Sequence, residues 1–94
     1  MPVAIEMDFP GATLEQYDQV MEKMGLTGGG SIPPGAIFHW VAATPEGIRV
    51  VDVWETREAF EKFAQEQIGP KTREVGIEGE PQTRIHEVHN HLKA

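Results

Sequence analysis

No cysteine occurs in the 94 residues, so a disulfide framework, a thiol nucleophile and a cysteine-based zinc site are all excluded. Positive charge is scarce as well. Eight Lys and Arg stand against fifteen Asp and Glu, a formal net charge of -7, and the basic residues are scattered along the chain. Nothing here can neutralise a row of phosphates, so nucleic acid and anionic membrane are poor partners. Long apolar runs are missing too. The opening MPVAIEMDF alternates and carries two acids, with neither the basic leader and apolar stretch of a signal peptide nor the length of a membrane span. Repeats and low-complexity tracts are also absent. The 39% hydrophobic content suits one domain over residues 1–94 with a modest core, and a soluble, cytoplasmic protein is expected.

What is present centres on residues 35–63, GAIFHWVAATPEGIRVVDVWETREAFEKF. Two runs rich in β-branched and aromatic residues, 36–44 and 48–54, flank Pro45-Glu46-Gly47, a connection too short for anything but an antiparallel hairpin. Taking Glu46-Gly47 as a two-residue turn pairs Pro45 with Ile48, His39 with Trp54 and Val41 with Asp52. His39, Asp52 and Trp54 then share one face, and Asp52 is a diagonal neighbour of His39. A three-residue turn would instead send Asp52 and Trp54 to the other face. Register is therefore the hinge on which a site at these residues turns.

The flanking segments complete the order of elements. Val3, Ile5, Met7 and Phe9 alternate with Ala4, Glu6 and Asp8, the period of a half-buried strand that Pro10-Gly11 ends. Thr13 is placed to cap a helix whose apolar positions Leu14, Tyr17, Val20, Met21 and Met24 recur at helical spacing, with Gly25 as its stop. Residues 27–35, TGGGSIPPG, read as a mobile loop beside the hairpin, either a lid or a plain connector. Thr56 caps a second helix with Glu58 in its first turn and Ala59, Phe60, Phe63, Ala64 and either Gln67 or Ile68 on its buried stripe, closed by Gly69-Pro70. Residues 71–81 are polar, with at most one further helical turn near Thr72, and a last strand is expected over 83–92.

Strand, helix, strand, strand, helix, strand defines an α+β fold of the ferredoxin-like βαββαβ kind. Both helices pack on one face of a four-stranded antiparallel sheet. If Trp54 faces the helices, the other face carries Phe38, Trp40, Val51, Val53 and Val88, too much apolar area for a small monomer to leave in water. At about 25 cal/mol per Å², a few hundred Å² of such surface gives several kcal/mol on association. A homodimer built sheet to sheet, closing into an α/β barrel, is the economical solution.

The element order, the size and the phrase VVDVWETREAFEKF resemble the dimeric α/β-barrel superfamily, in particular antibiotic-biosynthesis-monooxygenase-like domains. In those domains a strand ending in Trp-Glu-Ser or Trp-Glu-Thr runs into a helix of pattern x-x-Ala-Phe-x-x-Phe. The resemblance implies a dimer with a small-molecule pocket and, in some members, cofactor-independent oxygenation of polycyclic aromatic substrates; others degrade haem. Trp54 matches the strand-end tryptophan that lines the pocket between sheet and helices in the haem-degrading branch. That branch also uses an asparagine on the first strand and a histidine along the second helix. This chain has Met7 and Asp8 on the one and no histidine between Thr56 and Ile68 on the other, which argues against haem degradation. His39 and Asp52 resemble polar positions of a branch without an established mechanism.

Two function classes follow. In the first, His39 is a general base toward an acidic phenol proton and Asp52 holds its tautomer, both catalytic. Trp54, Met7, Tyr17 and Met21 then bind a planar hydrophobic substrate, with no cofactor. In the second, the chain is a ligand-binding or purely structural dimer in which His39 and Asp52 are a buried pair that fixes the hairpin. His89 and His91, alternating with Glu87, invite a metal reading with His39 as a distant third ligand. No second ligand motif accompanies them, and no metal site is assigned.

Overall fold

The computed structural model describes residues 1–26 and 32–92. Strands β1 (Val3–Pro10), β2 (Ala36–Thr44), β3 (Gly47–Trp54) and β4 (Gln82–Glu87) form one antiparallel sheet in the order β2-β3-β1-β4. Helix α1 (Leu14–Met24) joins β1 to β2, and a second helical run joins β3 to β4. This is the ferredoxin-like α+β arrangement that the order of elements implies. The segment read as a mobile loop, residues 27–35, falls for the most part, at 27–31, outside the described residues.

Local sequence sets the first two elements. Val3, Ile5, Met7 and Phe9 are buried while Ala4, Glu6 and Asp8 are only partly covered, so the apolar side of β1 faces the helices. Thr13 closes a capping box on α1: its Oγ1 accepts from the Gln16 amide at 3.1 Å, and Gln16 Oε1 accepts from the Thr13 amide at 3.0 Å. Gly25 ends the helix at φ 75°, its amide and that of Leu26 donating back to the carbonyls of Glu22 and Met21.

The hairpin turn differs from the sequence expectation. Thr44 pairs with Gly47, so the two turn residues are Pro45 and Glu46, and every pairing shifts by two: His39 lies opposite Asp52 and Val41 opposite Val50. Gly47 is a strand residue because the end of β1 lies against it. It pairs with Pro10, and a Cβ there would stand 2.1 Å from the Phe9 carbonyl oxygen. Proline at the first turn position has the φ that position requires. A shift of two preserves parity, so His39, Asp52 and Trp54 keep a common face. At the start of β2, Phe38 pairs with Val53 but Ala36 with Trp54, which leaves Ile37 as the extra residue of a bulge.

The second helical run also departs from expectation, because Gly69-Pro70 does not end it. Thr56 caps α2 (Arg57–Phe63), its Oγ1 accepting from the Ala59 amide at 3.1 Å. A π-helical turn over Ala64–Ile68 follows, and α3 (Gly69–Glu74) continues directly. Proline inside an α-helix removes an amide donor and clashes with the carbonyl four residues earlier, and a π turn relieves both by widening the backbone. Here the Gly69 amide reaches back five residues to Ala64. Thr72 Oγ1 donates toward the Ile68 and Gly69 carbonyls, and the run stops at Gly76, φ 84°. The helix thus carries Ile68 and Thr72 on past Phe63, toward α1.

Trp54 and Ile5 are the most deeply buried large side chains, and Trp54 meets Phe60 edge-on and Phe63 at a tilt, with centroids 6.0 and 5.2 Å away. β4 stops at Glu87, short of the expected 83–92, because its partner β1 begins at Val3; just beyond it the Val88 amide donates to Pro2 O. His89 and His91 therefore lie outside the sheet and have no shared strand face. On the far side of the sheet Phe38 and Trp40 remain 51% and 40% exposed. Beside them Arg49 bridges Asp8 and Glu6, and Arg84 reaches the same two carboxylates, a charge-balanced stripe next to the apolar one.

Candidate functional site

Between the helices and the inner face of the sheet lies a cavity of about 670 Å³. Among its walls are Met7 of β1, Tyr17 and Met21 of α1, His39 of β2, and Asp52 and Trp54 of β3. These are the six residues singled out from the sequence. Among the lining residues not assigned to the site from the sequence are Phe63, Ile68 and Thr72, which line the cavity because the helix runs through Pro70. Their apolar spacing was visible in the sequence, but it is the spacing of any helix packed on a sheet. Val50 and Ile77 close the floor on the same terms.

One hydrogen-bonded chain crosses the polar end. Trp54 Nε1 donates to Asp52 Oδ2 at 3.1 Å, Asp52 Oδ1 lies 2.5 Å from His39 Nδ1, and His39 Nε2 lies 2.5 Å from the Tyr17 hydroxyl. Strand alternation places Asp52 and Trp54 on one side of β3, and the cross-strand pairing sets His39 directly opposite Asp52. Tyr17 comes from α1, one turn in from the Thr13 cap, and its ring lies nearly parallel to the imidazole, 10° apart. Asp52 is buried at 6% exposure, yet both its oxygens are occupied, and no buried side-chain polar atom among the described residues lacks a partner.

Proton positions follow from the ends of this chain. An indole N–H only donates, and an ionised carboxylate only accepts, so Nδ1 of a neutral His39 carries the proton and Nε2 is left as an acceptor. Tyr17 is then the donor to Nε2. Burial, reinforced by the negative charges of Asp52 and Asp18, pushes the Tyr17 hydroxyl up to about 12, which keeps it protonated in that role. Asp18 and Glu22 stand at the rim, and no lysine or arginine lines the cavity among the described residues. Nor do three or more His, Asp or Glu of the described residues converge in a metal-ligand cluster.

Fold and site together define a class: a ferredoxin-like α+β chain with a largely apolar cavity between sheet and helices. Two solved structures are similar to it in fold over nearly the whole chain. The cofactor-independent oxygenase SnoaB from Streptomyces nogalater, in a mutant form, matches with a TM-score of 0.58 at 14% identity, over 99% of this chain and 96% of that one. A monooxygenase from the gene ActVA-Orf6 of Streptomyces coelicolor, in complex with the ligand Nanaomycin D, matches with a TM-score of 0.53 at 20% identity, over 99% and 91%. No protein-family profile and no curated protein sequence matches the chain. The likeness is one of fold, and the resemblance carried by VVDVWETREAFEKF holds at that level.

Proposed function

We propose that the chain, as a single domain over residues 1–94, is a small-molecule-binding protein that pairs through its sheet face into a dimeric α/β barrel. In this reading it catalyses the cofactor-independent monooxygenation of a planar hydrophobic substrate. The observation that carries the proposal is a His–Asp pair at the polar end of a largely apolar cavity of about 670 Å³, a size suited to a small organic ligand. His39 is the base and Asp52 holds its tautomer. Trp54, Met7, Tyr17 and Met21 form the substrate-binding walls.

The chemistry balances without a further co-reactant. The substrate's hydroxyl proton passes to His39, and the electron-rich anion reduces dioxygen while a C–O bond forms at a ring carbon bearing hydrogen. The resulting hydroperoxide loses water and leaves a carbonyl, so a phenol and one dioxygen yield a quinone and one water. Likeness in fold to two oxygenases supports this reaction class. Exposure of Phe38 and Trp40 supports the homodimer. The setting is the cytoplasm, with neither nucleic acid nor membrane as partner: basic residues are few and scattered, and no described helix is long and apolar enough to cross a membrane.

One observation favours the non-catalytic alternative, in which the pocket binds a ligand without turning it over or the chain is simply a structural dimer. Both nitrogens of His39 are already bonded, as in a structural brace. Oxygen-electrode assays with dihydroxynaphthalenes separate the two readings. The enzyme reading expects dioxygen uptake matched by quinone formation, abolished in a His39→Ala variant that remains folded. Loss of stability without any native turnover would mark the pair as a brace.

A further inference from the structure

The bond that joins Tyr17 to His39 has a consequence for recognition, and it rests on the ligand-pocket reading above. We propose that Tyr17, rather than His39, is the residue that meets the ligand, and that Asp52, acting through His39, turns the Tyr17 oxygen into an acceptor selective for a ligand hydroxyl. Three observations on separate elements support this. Trp54 on β3 pins Asp52 Oδ2 from one side, so Oδ1 faces His39 on β2, and Nε2 of that ring is covered by the Tyr17 hydroxyl from α1. The phenolic proton is committed to Nε2. What remains toward the cavity is the lone pair on Tyr17 Oη.

A ligand that can only accept finds no donor at this end, and one that donates finds an oriented acceptor. A buried polar site rejects a mismatched partner more strongly than an apolar wall rejects a misfit, because the mismatch leaves desolvated groups unpaired. The same polarity carries a proton inward. The ligand O–H breaks as an O–H forms on Tyr17; the original Tyr17 O–H breaks as an N–H forms at Nε2; the imidazolium then lies against the Asp52 carboxylate. His39 and Asp52 are positioning residues in this scheme, and Tyr17 is the contact.

Asp52→Asn should reverse the chain. The asparagine oxygen still accepts from Trp54, so its amide donates to Nδ1, the imidazole proton moves to Nε2 and donates to Tyr17, and the Tyr17 proton is freed toward the cavity. Titration calorimetry with 2-naphthol and 2-methoxynaphthalene at about pH 8, above the ordinary histidine range, tests this. The native protein is expected to bind the naphthol about tenfold more tightly, the worth of one good hydrogen bond, and in Asp52→Asn the ratio should fall toward one. A purely steric rejection of the methyl group would persist in the variant and would overturn the inference, as would equal native affinities; either result leaves the pocket reading intact because both probes bind. Failure of both probes to bind the native protein overturns the pocket reading and this inference together. Should the variant not fold, nitrogen NMR of the native His39 ring decides: an unprotonated Nε2 is expected, and a proton on Nε2 refutes the scheme.

Discussion

Trp54 and Asp52, two positions apart on β3, are joined side chain to side chain by the 3.1 Å bond from the indole Nε1 to Oδ2. Trp54 is 1% exposed and Asp52 6%, so neither group can exchange this partner for water. Trp54→Phe should leave a buried carboxylate oxygen unpaired and a void beside Phe60 and Phe63, at a cost of about 3 kcal/mol. Denaturant unfolding measures it. A loss below about 1 kcal/mol would mean that the carboxylate does not depend on this donor.

Tyr17 predicts a weakness at high pH. Its hydroxyl is raised to about 12 in the fold against 10.0 when free, so between those values the unfolded chain has released a proton that the native chain still binds. Stability from this group is complete below about pH 10 and is lost as pH rises toward 12. Denaturation midpoints should therefore fall more steeply with alkali in the native protein than in Tyr17→Phe. Parallel curves would contradict the buried, protonated hydroxyl.

Gly47 predicts a backbone failure. A methyl group there would overlap the Phe9 carbonyl oxygen at 2.1 Å, with the Gly11 amide nitrogen at 2.9 Å, and neither is a flexible side chain. Gly47→Ala is expected to cost at least about 3 kcal/mol and to disturb the β1–β3 pairing. Amide exchange along 3–9 reads the pairing directly. A neutral substitution would require a different path for the end of β1.

Assembly is tested on the sheet's far face. Trp40→Glu places an unpaired charge in the proposed dry interface and should dissociate or unfold the dimer. Light scattering of the native protein should give twice the 10.4 kDa chain mass. A native monomer at micromolar concentration would refute the homodimer.

Charge predicts selectivity. With Asp18, Glu22 and Asp52 among its walls and no lysine or arginine among the described lining residues, the cavity should bind 2-naphthoate at least about tenfold more weakly than 2-naphthol. Equal binding would point to a cation that approaches on ligation.

The sequence by itself determined what depends on neighbours along the chain. Alternation in β1, the Thr13 and Thr56 caps and the Gly25 stop all arise within a few residues, where backbone geometry and local hydrogen bonds decide. Tertiary structure decided the rest. Gly47 left the turn for the strand because β1 packs against it, Pro70 was absorbed into a π turn instead of ending its helix, and β4 stopped where β1 offers no further partner. Tyr17 is the clearest case at the site. Its helical spacing marks it as inward-facing, but its bond to His39, 22 residues away, depends on how α1 lies across the sheet. That placement is set by core packing among Val20, Trp54, Phe60 and Ile77, contacts that no local pattern encodes.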